Sequence, residues 1–293
     1  MKKTILLLIA AAVVCGCEKL SVPESAEQEQ EQETAMNVKT KNFTFTVKGD
    51  FGSATFTRGY LQADGKDMTD LWVLDYMDGT LVQQLHQSSD DADFGVPSMP
   101  LAYGAHHIYF VASRGVSPVL NTTDHTLVWS IVRDTFYKDY EVSVVSTSNG
   151  NRAVTLDRVA TKLRITVNDV VPDNLASISV TPSTWYYGLD YVTGDAISAQ
   201  QKPISVDVPS SYHGTTGELY INIYGMSGAD EWTTNVSIVA KDGNNTTIGS
   251  ATISGAPFKR NRATEYSGSL FCSVGNLNVS IDGTWANPAT GTW

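Results

Sequence analysis

The sequence predicts an all-β protein with two β-sandwich domains in tandem and Greek-key-like connections, placed behind a polar N-terminal tether. Three observations lead to this fold class. Short runs of β-branched and aromatic residues recur along the chain, turns rich in Gly, Asn, Asp and Pro separate them, and no stretch has the periodicity of a long amphipathic helix. At 293 residues the chain is also long enough for two domains of ordinary size.

The first sixteen residues predict a cleaved export signal. Two lysines precede an apolar run, Ile5 to Val14, that is too short to span a bilayer comfortably. The next three residues, Cys15-Gly16-Cys17, resemble the lipobox of bacterial lipoproteins, in which a small residue precedes the modified cysteine. We therefore expect cleavage between Gly16 and Cys17 and lipidation of Cys17. Cys15 is the alternative acceptor, but the bulky Val14 precedes it.

Residues 17–36 predict a disordered tether. This segment alternates Glu and Gln and has few apolar groups, so it cannot offset the entropy that ordering would cost. An acidic stretch behind a lipidated cysteine also resembles the export tag that sends some lipoproteins to the outer face of the outer membrane, although solvation alone is an alternative interpretation. The lipid is then an anchor to the membrane. The formal net charge of −11 makes nucleic acid a poor partner.

Residues 37–168 predict the N-terminal sandwich domain. Phe43, Phe45 and Val47 alternate with polar residues, which is typical of a half-buried strand. Asp78-Gly79 predicts a tight hairpin between two strand-like runs at 71–76 and 81–86. Further strands are predicted at 108–112, 126–132, 140–146, 153–156 and 159–167.

Residues 169–293 predict the C-terminal sandwich domain, after a turn-rich break at 168–174. Its predicted strands lie at 177–181, 204–208, 218–224, 236–240, 248–253, 264–272 and 277–281. Cys272 interrupts one of these runs and is expected to be a small buried core residue, because the chain offers it no partner for a disulfide.

No pattern in the sequence predicts catalysis, a cofactor or a metal site. His106 and His107 are neighbours on a strand, so their side chains point to opposite faces and cannot share one ion without a bulge. The run Asp90 to Asp93 lacks the spacing of a calcium loop and is expected to be a solvated loop. No serine elbow and no glycine-rich phosphate loop occurs.

Clustered aromatic residues predict either a core or a binding platform in the second domain. Trp185, Tyr186, Tyr187 and Tyr191 could stack on sugar rings if their faces are exposed. Alternate members could instead fill the core of the second sandwich, where aromatic residues are common.

The order of these features resembles the fimbrillins, lipoprotein precursors of type V pili that are built from two β-sandwich domains. The resemblance rests on Cys17, the Glu/Gln tether, the strand that begins at Asn42 and Arg58 behind it. It covers essentially the whole mature chain. Further similar segments are 70–79, 156–163 and 258–262.

The resemblance implies assembly by strand exchange. In the family, an Arg-specific protease removes the tether and the first strand, and a strand from another pilus subunit fills the groove that opens. Here the removable strand carries Phe43, Phe45 and Val47, and the matching cleavage point is Arg58-Gly59, where Gly59 replaces the alanine or other small residue that we would expect.

The sequence therefore predicts a structural and adhesive pilus subunit, exported as a surface-exposed, lipid-anchored outer-membrane lipoprotein and found in the pilus after processing. The alternative is a surface glycan-binding lipoprotein of a nutrient-uptake system, which would use the same anchor and tether. A glycan binder has no use for a removable strand, whereas a pilus subunit needs one.

Overall fold

The computed structural model describes residues 38–49, 68–271 and 277–280, and these residues form an all-β fold of several sheets in a sandwich-like arrangement. Their strands in chain order are β1 (Thr40–Gly49), β2 (Asp70–Met77), β3 (Thr80–Ser88), β4 (Ser98–Ala102), β5 (Gly104–Ser113), β6 (Val119–Asn121), β7 (Thr126–Val128), β8 (Thr135–Val144), β9 (Asn151–Arg158), β10 (Ala160–Val167), β11 (Leu175–Pro182), β12 (Trp185–Asp190), β13 (Ala196–Gln200), β14 (Ile204–Asp207), β15 (Tyr220–Met226), β16 (Trp232–Asp242), β17 (Thr247–Phe258), β18 (Ala263–Gly268) and β19 (Leu277–Ser280). A short 3-10 turn, Ser210–Tyr212, lies between β14 and β15.

The first sheet has seven strands in the order β3-β2-β5-β8-β9-β1-β4. It folds back on itself where β9 pairs with β8 through only Phe136 and Tyr137. Strands β1, β4 and β9 thereby form one layer and the others form a second, with a single apolar core between them. That core contains Phe43, Phe45, Leu71, Val73, Met99, Leu101, Ile108, Phe110, Phe136, Val154 and Leu156.

The predicted hairpin at Asp78-Gly79 is confirmed. It joins β2 and β3, and both turn residues have positive φ angles, 48° and 75°. Two successive positive φ angles are the requirement of a two-residue hairpin turn whose twist matches that of its strands, and Gly at the second position meets it without strain.

The remaining strands form two sheets. An eight-stranded sheet has the order β19-β18-β10-β15-β12-β7-β6, with β13 paired to β12, and a four-stranded sheet has the order β14-β11-β16-β17. Their inner faces share one core, which includes Leu163, Ile165, Ile178, Trp185, Ile221, Ile238 and Phe258.

Three strands that precede residue 168 belong to the eight-stranded sheet. β6 and β7 reach it through the pairing of β7 with β12, and β10 lies between β15 and β18. Tyr76 and Tyr109 of the first sheet pack into the same core as Tyr191, and the Tyr76 and Tyr191 hydroxyl oxygens lie 2.8 Å apart. The division into two domains at residue 168 stays a prediction. Strands β6, β7 and β10 precede that residue but belong to the same sheet as strands that follow it.

None of the helical structure in the described ranges has the length and hydropathy that a membrane-spanning helix requires.

Candidate functional site

The first strand, β1, lies inside its layer and not at an edge. Its N-terminal half pairs antiparallel with β4, from Thr40 opposite Ala102 to Thr44 opposite Ser98. Its C-terminal half pairs parallel with β9, from Thr44 opposite Asn151 to Gly49 opposite Leu156. Strand β1 is therefore the element that separates β4 from β9.

Backbone hydrogen bonds continue on both sides of β1. The Phe45 and Val47 amides each donate to the loop before β4, at 2.9 Å to the Pro97 and Gly95 carbonyl oxygens. The Thr44 amide donates to the Gly150 carbonyl at 2.7 Å. Gly150 permits this approach, since a Cβ atom there would lie 2.3 Å from the Asn42 carbonyl oxygen. Both edges of β1 are thus satisfied by protein.

The side chains of β1 alternate between core and solvent as the sequence predicts. Phe43 and Phe45 are fully buried, while Thr46 and Lys48 face outward and are exposed. The Phe45 ring packs edge-on against the Phe110 ring at a centroid distance of 5.2 Å. Burying each of these phenylalanines contributes about 1.5–3 kcal/mol.

Val47, the third residue of the predicted face, is only partly buried. Among the described residues it lines a cavity of about 410 Å³, together with Met68, Leu71 and Phe94. The apolar contact of β1 with the core therefore depends mainly on its two phenylalanines.

Several predicted site residues lie outside the residues that the structure describes. They are the predicted signal cleavage and lipidation site Gly16 and Cys17, the tether at 17–36, the predicted protease site Arg58 and Gly59, and Cys272. These assignments stay predictions.

Two of the segments that carry the resemblance, 156–163 and 258–262, contact each other where the chain passes from β9 to β10. Buried Arg158 forms a bidentate pair with buried Asp134, at 2.7 and 3.1 Å, and donates a further hydrogen bond to the Asn261 side-chain oxygen at 3.2 Å. The Asn261 amide donates to the Ala160 carbonyl at 3.0 Å. Because a buried charge is tolerated only when it is paired and hydrogen-bonded, these residues have a structural reason to occur together.

The predicted sugar platform is wrong for three of its four residues. Trp185, Tyr187 and Tyr191 have at most 1% of their surface exposed, so their ring faces cannot stack on a sugar. Trp185 and Tyr187 point into the core from alternate positions of β12, and the Trp185 indole nitrogen donates to the Tyr224 carbonyl at 2.9 Å. Only Tyr186 is partly exposed.

Burial also changes the acidity of these rings. It raises the pKa of Tyr187 to about 12 and, with the hydrogen bond between the Tyr191 and Tyr76 hydroxyls, raises the pKa of Tyr191 well above its usual range. Burial, together with the negative charge of Asp139, raises the pKa of Tyr109 to about 12. All three hydroxyls therefore remain neutral at physiological pH.

His106 and His107 lie on opposite faces of β5, as the sequence predicts. His106 is buried, and its ring nitrogens lie 2.7 Å from a carboxylate oxygen of Asp75 and 2.8 Å from the Ala102 carbonyl oxygen. A carbonyl oxygen can only accept, so the Nε2 atom of His106 carries a proton. This histidine therefore satisfies buried acceptors and is not a free ligand.

His107 lies beside two acidic residues that the sequence did not connect to it. Its Nδ1 atom is 3.3 Å from Asp139 Oδ1, and Glu141 is its direct cross-strand neighbour on β8. The ligand atoms of the three residues lie within 4.8 Å of one another, so they could hold a divalent cation. Pairing of β5 with β8 brings them together, which no local spacing could reveal.

The loop at Asp90–Asp93 is exposed along its length. Asp91 accepts a hydrogen bond from the Ser88 amide at 2.7 Å, which closes the turn after β3. This local role for Asp91 and the exposure of its neighbours match the solvated loop that the sequence predicts.

Family comparison places the chain in a group without an assigned activity. A model of a family of unknown function, DUF6562, matches residues 105–292. The chain belongs to the DUF6562 family. No curated protein sequence matches this DUF6562 chain.

Three solved structures of bacterial proteins have a similar arrangement of strands, all at low sequence identity to this chain. A fimbrial assembly protein from Parabacteroides distasonis is 9% identical, with a TM-score of 0.48, and the match covers 84% of this chain and 97% of that one. The tip fimbrial protein Mfa3 from Porphyromonas gingivalis is 14% identical, with a TM-score of 0.45 and coverage of 82% and 99%. A candidate polysaccharide-binding protein from Bacteroides thetaiotaomicron is 10% identical, with a TM-score of 0.49 and coverage of 85% and 98%.

Proposed function

We propose that this DUF6562 chain is a structural and adhesive pilus subunit, exported as an outer-membrane lipoprotein and assembled by strand exchange after removal of β1. The placement of β1 carries the proposal. The strand lies between β4 and β9, has hydrogen bonds along both edges and supplies two phenylalanines to the core.

Loss of β1 would leave a groove with defined chemistry. The Gly95, Pro97 and Gly150 carbonyls would lose their amide donors, and the sites of Phe43 and Phe45 would be empty. A donor strand from another subunit could restore the hydrogen bonds and the apolar contacts together, which is the mode of recognition called β-augmentation.

The other parts of the proposal rest on the sequence. Lipidation of Cys17 anchors the precursor, and an Arg-specific protease cuts between Arg58 and Gly59. After the cut, β1 is held only by non-covalent contacts, so a second strand can compete for the groove. No catalytic step and no cofactor are part of this function.

Strand incorporation into cut and uncut protein tests the proposal. The precursor is nicked with trypsin, and a labelled peptide with the sequence of Thr40–Gly49 is added to nicked and intact protein. We expect incorporation into nicked protein and little into intact protein. The matched control is the same peptide with Phe43→Ser and Phe45→Ser, which keeps the backbone but cannot fill the core. Equal incorporation into both protein forms, or equal incorporation of both peptides, would remove the assembly role of β1.

A separate experiment tests the anchor. Cys17→Ser removes the thiol that accepts the lipid, so we expect the variant to leave the membrane fraction, while Cys15→Ser remains there. A Cys17→Ser protein that still partitions with outer membranes would contradict the lipoprotein assignment.

A further inference from the structure

A small pocket lies against the second core, away from β1. Its volume is about 210 Å³. The segment that leads from β7 to β8 and the start of β14 form its walls, and Tyr187 of β12 and Ile223 of β15 line its inner side. Drug-sized ligands occupy pockets of about 300–1,000 Å³, so this pocket suits a molecule of roughly one sugar ring.

The pocket is basic in an acidic protein. Lys202 and Arg133 line it, and none of its lining residues in the described part of the chain is acidic, although the chain has a formal net charge of −11. The Lys202 ammonium group donates to the Ser130 carbonyl oxygen at 3.0 Å and lies 4.0 Å from the centre of the Tyr187 ring. These two contacts fix the cation at the pocket without neutralising it, because neither partner is an anion.

The inner side of the pocket also includes an unsatisfied hydroxyl. Tyr187 is 1% exposed, and its hydroxyl oxygen has no hydrogen-bond partner among the residues that the structure describes. A buried hydroxyl without a partner is unfavourable, so a bound group or a water molecule is expected to complete it. Its raised pKa keeps this hydroxyl a neutral donor.

We propose that this pocket binds a carboxylate-bearing monosaccharide of the hexuronate type. Lys202 faces the carboxylate, the Tyr187 hydroxyl donates to a sugar oxygen, and Ile131 and Ile204 contact the apolar face of the ring. The pocket includes no part of β1, so this binding is independent of strand exchange and of cleavage at Arg58.

Titration of the intact mature chain with glucuronate tests the proposal, with glucose and acetate as the two matched ligands. We expect saturable binding of glucuronate and at least about tenfold weaker binding of glucose and of acetate, because loss of one charge-assisted hydrogen bond changes affinity by about that factor. Acetate binding as tight as that of glucuronate would mean a general anion site and overturn the sugar assignment. Equal binding of glucose would overturn the role of the Lys202 cation, and absence of glucuronate binding would overturn the proposal.

Variants identify the groups involved. Lys202→Gln should weaken glucuronate binding by about tenfold or more, while Lys202→Arg, which keeps the charge, should retain most of the affinity. Lys241→Gln is the control, since Lys241 is a lysine of β16 that pairs with Asn245 and does not line the pocket. Tyr187→Phe keeps the ring under Lys202 and removes only the hydroxyl, so its affinity should also fall. If Lys202→Gln binds as the parent does, with the same melting temperature, the site is wrong.

Discussion

Strands β1 and β10 occupy matching places in their sheets but are held differently. Each has a parallel neighbour on one side and an antiparallel neighbour on the other: β9 and β4 for β1, and β18 and β15 for β10. The outward-facing residues of β1 are mostly exposed, whereas the first four residues of β10 are all buried, so β10 is covered on both faces there.

This difference in burial indicates which of the two strands could leave its sheet at the lower cost in free energy. Both strands have hydrogen bonds to two neighbours, so the ladders do not distinguish them. Removal of either strand would separate its two neighbours, but removal of β1 empties one apolar face, while removal of β10 would open two packed faces. By the number of buried faces, β1 would lose fewer packing contacts than β10 on leaving its sheet.

The largest expected effect tests how much the buried phenylalanines of β1 contribute to the free energy of unfolding. Phe45→Ala should lower the free energy of unfolding by about 3–5 kcal/mol, because it removes a fully buried ring and leaves a cavity beside Phe110. Denaturant unfolding measures the change, and Val47→Ala is the control, with a smaller loss since Val47 is only partly buried. Equal losses for the two variants would contradict the account of how β1 is held.

High pH should weaken the surroundings of β10 more than the core under β1. Tyr109 and Tyr187 have a pKa of about 12 in the folded protein, against about 10 in the unfolded chain. The unfolded chain loses these protons first, so stability that is fully present below pH 10 falls as the pH rises towards 12. We expect a loss of at most about 2 kcal/mol per tyrosine, since solvent screens part of the effect.

Unfolding curves between pH 8 and pH 11.5 measure this dependence. Tyr109→Phe should flatten the curve, whereas Tyr103→Phe, at an exposed position, should leave its slope unchanged. If the stability of the parent protein did not change over this interval, burial of these tyrosines would not make the free energy of unfolding depend on pH.

The smallest effect contrasts a buried polar position of β10 with an exposed position of β1. Thr161 of β10 is buried, and its hydroxyl donates to the Arg262 carbonyl at 3.0 Å, so Thr161→Val should lower the free energy of unfolding by about 1 kcal/mol. Thr46 of β1 faces outward and is exposed, so Thr46→Val should change it by less than about 0.5 kcal/mol. If both substitutions had the same effect, the buried hydrogen bond of Thr161 would not contribute to the stability of β10.

The sequence predicted β1 and the β2–β3 hairpin well because both depend on local chemistry. Alternation of Phe43 and Phe45 with polar residues defines a one-sided strand, and Asp78-Gly79 has the backbone freedom that a tight turn needs. The burial of β10 on both faces was not predicted, because alternation identifies only one buried face. What covers the second face comes from residues distant in the chain.

Contacts between residues distant in the chain also explain why the predicted sugar platform is wrong. Tyr191 packs against Tyr76, 115 positions away, and that contact decides whether its ring is buried. The Arg158–Asp134 pair with Asn261, and the cluster of His107 with Asp139 and Glu141, likewise join separate segments. Within β12 the alternate positions of Trp185 and Tyr187 do indicate a core face, which is the second of the two interpretations that the sequence allows.

Hydrogen exchange of the β1 and β10 amides, measured before and after cleavage at Arg58, tests the central claim most directly. Opening of β1 breaks the hydrogen bonds of Phe45 and Val47 but empties only one face, so its amides should exchange at a lower free energy than those of β10. Cleavage should speed exchange in β1 and leave β10 unchanged, because only β1 loses its covalent tie. Identical exchange in the two strands, or acceleration of both on cleavage, would contradict the account that β1 is the separable strand.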